Sequence, residues 1–173
     1  MSDEPNILNP EWDAEMPDAP FRARAMRAGA RAGAQELGAT LYDLDAGGAI
    51  SPYHFHHANE ELLVVLAGSP EIRTPGGRRR LEPGAVVAFA RGEDGAHAVT
   101  NPGPEPARVL VVSTMRFPDV AEHLDTGTLL AITGPAAGRA FPPDADVPFA
   151  DAVLRAMQAE AEVEANGTDQ SAA

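Results

Sequence analysis

From residue 37 onward, apolar residues fall in short runs separated by turns rich in glycine and proline. "LGATLYDLDAGG" alternates and ends in a glycine pair, and "ELLVVLAG" is an apolar run of strand length. "EIRTPGGRRRLEPG" reads as two strands about the turn "TPGG", with Arg78 to Arg80 as the solvated side of that hairpin. "AVVAFA", "GAHAVTN" and "ARVLVVSTM" follow at close, even spacing. A series of short strands like this predicts an all-β sandwich or barrel. In "ELLVVLAG" a period of two places Glu61, Leu63, Val65 and Ala67 on one face and Leu62, Val64 and Leu66 on the other. Both faces are apolar, so the outer one must be covered by another sheet or subunit, which favours a homodimer.

The flanks read differently. Residues 1–20 hold four prolines, many acids and Trp12, the pattern of an extended arm free to drape over the domain or a partner subunit. "FRARAMRAGARAGAQELG" reads as a short strand and a turn, because Gly29 and Gly33 weaken a helix there; its arginines form a solvated face. This assigns residues 1–36 to the arm and first strand, and 37–117 to the barrel. Beyond Met115 the pattern loosens into loops with one more strand at most. "PFADAVLRAMQAEAEVEANG" then predicts a helix whose stripe of Phe149, Val153, Ala156 and Met157 packs on the barrel, within a segment spanning 118–167. Residues 168–173 read as a frayed tail.

Composition narrows the chemistry. The chain has 173 residues, enough for one domain with a single core. Its 26 acidic residues against 13 basic ones argue against nucleic acid or an anionic membrane as a partner, since both need a basic face. There is no cysteine, which removes disulfides, thiolate metal sites and a cysteine nucleophile. No apolar run approaches the ~18 residues of a membrane span, and the start lacks the layout of a signal peptide. A soluble cytoplasmic protein is expected.

Three of the five histidines lie in "PYHFHHANEELLVVLAG". On a strand, His54 and His56 share a face while Tyr53, Phe55 and His57 take the other. Two imidazoles rooted about 7 Å apart can converge on one metal ion. "HAN" makes a turn, and the strand from Glu61 is expected to run back beside the first and add a carboxylate oxygen. Parity admits only one of Glu60 and Glu61, and Glu61 is the choice. A fourth donor must come from elsewhere, and His97, in a strand between turn-formers, is the natural candidate. An H-x-H pair alone is a weak signal; a carboxylate at fixed offset and a histidine on a separate strand strengthen it. His57 reads as a surface residue, and His123 as a loop residue able to rim a pocket. Tyr42, Arg73 and Arg116 are able to meet a substrate carboxylate, though nothing singles them out.

At this point "GAISPYHFHHANEELLVVLAG" resembles the first motif of the cupin superfamily, with Gly48, His54, His56, Glu61 and Gly68 at its spacing. "GAVVAFARGEDGAHAVTN" resembles the second through Gly84, Gly92, His97 and Asn101. It departs in Ala90, which replaces a proline, and in four residues instead of two between Gly92 and His97. The resemblance covers about residues 37–115 and implies a double-stranded β-helix, a jelly-roll barrel. It further implies one divalent transition metal (Mn, Fe, Zn, Ni or Co) held by His54, His56, Glu61 and His97. Three neutral imidazoles and one carboxylate would leave such a site a net charge near +1. Dioxygenase, decarboxylase, isomerase and lyase chemistries are all known on this fold, and the fold does not choose among them. The expectation is a metal-dependent enzyme acting on a small oxygenated organic substrate, with a non-catalytic small-molecule or metal-binding module as the alternative.

Overall fold

The computed structural model describes residues 4–145 and 147–169. Its order is β1 (Ala14–Met16), β2 (Ala23–Met26), α1 (Ala28–Arg31), β3 (Leu37–Leu44), β4 (His54–His56), β5 (Glu61–Ala67), β6 (Glu71–Thr74) and β7 (Gly77–Arg80). There follow β8 (Val86–Phe89), β9 (Ala98–Thr100), β10 (Ala107–Thr114), β11 (Asp119–His123), β12 (Thr128–Gly134), β13 (Ala137–Phe141) and α2 (Phe149–Asp169). One layer is the six-stranded sheet β1-β2-β3-β10-β5-β8. The other joins β13-β12-β11-β4 to β9-β6-β7 through bridges between His54 and His97 and between Ala49 and Thr100. Every pairing is antiparallel. The layers face each other as the jelly-roll barrel expected from the two motifs.

Leu44, Leu63, Val65 and Val109 from the first layer meet Ile72 and Val99 from the second, with Phe89, Leu81 and Ala23 completing the core. The parity within β5 is as its pattern predicts. Leu63 and Val65 are buried, whereas Leu62 on the other face is 37 % exposed. Each fully buried side chain of this size contributes about 1.5–3 kcal/mol. This cluster fills one part of the barrel, so polar side chains nearer the start of β5 are not crowded out by it.

Several expectations are corrected. The segment after residue 117 is not mainly loop: it forms β11, β12 and β13, and β11 pairs with β4. Its alternation is faint because β13 is exposed throughout and β12 is only half-buried. β4 and β5 are not neighbours, since the turn after His57 carries the chain from one layer to the other. The turn after β2 is instead the four-residue helix α1. The arginines of this segment are not simply solvated: Arg24 pairs with Asp43, and Arg31 with Asp13 and Glu11. The helix α2 forms, but Phe149, Val153, Leu154 and Met157 are exposed instead of packed on the barrel. Prolines at 142, 143 and 148 keep the preceding chain from continuing as a strand or an early helix turn. The helix runs on through residues 168 and 169, and positions 170–173 of the expected frayed tail lie outside the described residues.

The arm does drape over its own domain. Ile7 and Trp12 pack with Met26, Ala28, Leu41, Leu66 and Leu110 on the outer face of the large sheet. Arg108 donates to the backbone oxygens of Ile7 and Leu8 and holds Asp43 in a bidentate pair at 2.6 and 2.8 Å. The Arg24 and Arg108 guanidiniums lie 5.0 and 5.7 Å from the Trp12 ring. Part of the cover expected from another sheet or subunit is therefore supplied by the arm, while Leu62, Val86 and Leu37 stay exposed.

Candidate metal centre

His54 and His56 project from β4 into the barrel, as the period of two requires. Glu61 opens β5 in the opposite layer, opposite Phe89 and Ser113 in register. His97 reaches the same place because its backbone exchanges hydrogen bonds with His54, N to O at 3.0 and 2.8 Å. The two extra residues of the second motif are absorbed by a 3-10 turn, Glu93–Gly95, packed tightly on Ala90. That turn keeps His97 in line despite the longer loop. Asn101, the last motif residue, is 1 % exposed and its amide donates to the carbonyls of Leu44 and Glu105 at 2.9 and 2.8 Å. Gly68 ends β5 at φ +74°, with the Pro106 carbonyl 2.6 Å from where a Cβ would stand.

Donor atoms of His54, His56 and Glu61 all lie within 4.8 Å of one another. His54 Nε2 is 3.2 Å from His56 Nε2, and His97 Nε2 is 2.9 Å from Glu61 Oε2. The other ring nitrogens decide what these contacts are. His54 Nδ1 lies 2.9 Å from the Pro52 carbonyl, His97 Nδ1 is 3.0 Å from the Gly95 carbonyl, and His56 Nδ1 is 2.6 Å from Asp119 Oδ2. Carbonyls and carboxylates only accept, so each Nδ1 carries a hydrogen, and in the neutral ring that leaves Nε2 with its lone pair toward the site. His54, His56 and Glu61 thus gather their donor atoms within 4.8 Å, and His97 Nε2 joins them through its 2.9 Å contact with Glu61. Donors bound ~2.1 Å from one ion stand about 3.0–3.4 Å apart, so the set fits a divalent metal of the N/O-loving kind.

The His54 ring resists protonation. Burial, then the neighbouring His97 and His56, lower the His54 pKa to about 4. Burial pushes Glu61 upward, but the bond to His97 and the charges of His56, His97 and His54 more than offset it and hold the carboxyl below its usual range. Phe89 stacks on the His97 ring, centroids 3.8 Å apart and 5° from parallel, which fixes that imidazole's plane.

The remaining candidates separate. His57 points away and pairs with Glu122 at 2.7 Å on the surface. His123 closes β11, in register with His54, and its ring centroid lies 5.9 Å from that of His54. It faces the site from a strand, where a loop was expected. Tyr42 shares the inward face of β3 with Leu44; burial, then Glu61, raises its pKa, partly offset by the Thr40 hydroxyl. Arg73 is taken up by Asp125 and by the ring of Tyr53. Glu60 lies outside the donor set and lines a small cavity with Ala58, Arg91, Thr114 and Arg116. Asp119 was not found from sequence; nothing in "FPDV" announces a partner for a histidine 63 positions away.

A family model for the cupin domain matches residues 40–113. A search of curated proteins finds no significant match. Among solved structures the chain is similar to a sugar phosphate isomerase of the cupin superfamily from Silicibacter pomeroyi, at 25 % identity. That similarity covers 80 % of this chain and 88 % of the other, with a TM-score of 0.68. A putative sugar phosphate isomerase from Acidithiobacillus ferrooxidans aligns at 22 % identity over 79 % and 86 % of the two chains, TM-score 0.68. The polyketide cyclase RemF from Streptomyces resistomycificus aligns at 23 % identity over 66 % and 80 %, TM-score 0.53. These last two bear on the fold alone. The domain match spans His54, His56, Glu61 and His97, and residues 40–113 of the chain are a cupin domain.

Proposed function

We propose that the chain is a metal-dependent cupin enzyme that isomerises a small phosphorylated sugar. The observation that carries the metal is the gathering of His54, His56 and Glu61 donor atoms within 4.8 Å, with His97 Nε2 2.9 Å from Glu61 Oε2 as the candidate fourth donor. A divalent ion held there would polarise a substrate carbonyl and lower the cost of charge developing on its oxygen. The likeness to the Silicibacter pomeroyi sugar phosphate isomerase supports the substrate class.

The chain's own residues supply the rest. In an aldose-to-ketose conversion one proton leaves C2 and one arrives at C1, while another passes from the C2 oxygen to the C1 oxygen. His123 faces the site, and its ring is outside the hydrogen bonds that fix the other three imidazoles. Burial, then His56, lowers its pKa, so near neutral pH it is unprotonated and able to accept the C2 proton. Tyr42, with its pKa raised, keeps its hydroxyl hydrogen and can donate to a substrate oxygen.

The test is conversion. Metal-loaded protein is incubated with aldose and ketose phosphates in D₂O and followed by NMR. Interconversion with deuterium entering at carbon is expected, and His123→Gln should slow it at least 100-fold. If phosphorylated sugars bind without conversion, the chain is a non-catalytic binding module. If none binds, the substrate class is wrong.

A further inference from the structure

Asp119 is 2 % exposed and spends both carboxylate oxygens on the metal centre's surroundings. Oδ2 accepts from His56 Nδ1 at 2.6 Å, and Oδ1 accepts from the Ala58 backbone N–H at 2.8 Å. The first bond fixes the ring of a donor on β4. The second fixes the chain just before it crosses to the opposite layer and delivers Glu61. One side chain therefore ties together two donors that come from different sheets. Burial acts to raise its pKa, but the Ala58 N–H, the Asn59 amide and His56 more than offset this and keep it ionised.

His56 is also distinguished from the other two imidazoles. His54 and His97 donate to neutral carbonyls, of Pro52 and Gly95, whereas His56 donates to a charged acceptor and at a shorter distance. A carboxylate behind an imidazole orients the ring, selects the Nδ1–H tautomer and raises the basicity of Nε2. We propose that Asp119 is a positioning residue of the metal centre, setting the tautomer of His56 and the approach of Glu61. It rests on the metal reading above and takes no part in contact with substrate.

Asparagine separates this role from mere support. An amide has nearly the same shape but only one accepting oxygen, so it cannot serve both N–H groups. If its oxygen stays on Ala58, its NH₂ faces His56 Nδ1, and the imidazole must move its hydrogen to Nε2. The lone pair is then lost from the donor set.

The experiment reads the tautomer directly. Long-range ¹H–¹⁵N spectra of metal-free wild-type protein should show His56 as the Nδ1–H form, and Asp119→Asn should convert it to the Nε2–H form. Zn(II) affinity, measured by competition with a chelating dye, should fall about 10–100-fold in Asp119→Asn. Circular dichroism checks that the variant folds. Wild-type protein with His56 as the Nε2–H form overturns the proposal without any variant. So does an Asp119→Asn protein that keeps both the Nδ1–H form and wild-type Zn(II) affinity. Failure of the metal reading shows separately, as wild-type protein that takes up no Zn(II) although the tautomer is as expected.

Discussion

Two adjacent glutamates differ in everything that matters to a cation. Glu61 is the first residue of β5 and its carboxylate lies 2.9 Å from His97 Nε2, whereas Glu60 is exposed and lines a cavity with two arginines. The histidines divide the same way, with His57 on the surface against Glu122. Metal per chain in protein purified without an affinity tag should therefore drop sharply in His54→Ala, His97→Ala and Glu61→Gln. It should be unchanged in His57→Ala and Glu60→Gln. Elemental analysis decides, and equal losses in Glu60→Gln and Glu61→Gln would overturn the donor set. At this scale the sequence is informative wherever a position is fixed by period, as with His54 and His56. It is silent where a partner is brought in by tertiary pairing, as with Asp119 on His56 and His123 opposite His54.

Elements were legible in proportion to how evenly they are buried. β5, β8 and β10 announce themselves because apolar side chains crowd at least one face of each. β11 to β13 were missed because a half-open pair of strands carries no clean alternation. The partnership of β4 and β5 was misjudged because a short turn looks like a hairpin until its ends are known to lie in different layers. The arm was recognisable as an arm, but its seat was not. Trp12 stands between Arg24 and Arg108 and packs with Ile7 over Leu66 and Leu110, which explains its place in an otherwise polar stretch. Trp12→Ala should cost about 2 kcal/mol, less than a fully buried tryptophan because Trp12 is only half-buried. Calorimetry should show a loss of roughly 6 °C in melting temperature. An unchanged melting temperature would mean the arm is not seated in solution.

Over the whole molecule, the hydrophobic cluster and the polar cluster share one barrel but not one source of stability. EDTA should lower the melting temperature without unfolding the chain at 25 °C, because Leu44, Leu63, Val65, Ile72, Val99 and Val109 pack without help from an ion. In the metal-free protein the buried imidazoles then govern the response to acid. His54 titrates near 6.5 when unfolded and near about 4 when folded. Between these values the unfolded chain holds the extra proton, so stability is full above about pH 6.5 and declines as pH falls toward 4. The loss from this group is roughly 3 kcal/mol, and His123, also lowered, acts in the same direction. Thermal melts of EDTA-treated protein across this range should show the decline, and His54→Gln should flatten it. Glu61 enters the site from one layer and the three imidazoles from the other. An ion bound among them would link the two layers, so the donor-to-ion distances would depend on how closely the layers approach at Glu61. Which metal is taken up then becomes a matter of wall spacing, set in part by the bulk of Leu63 on the inward face of β5, and a size change there would retune ion preference with every donor left in place.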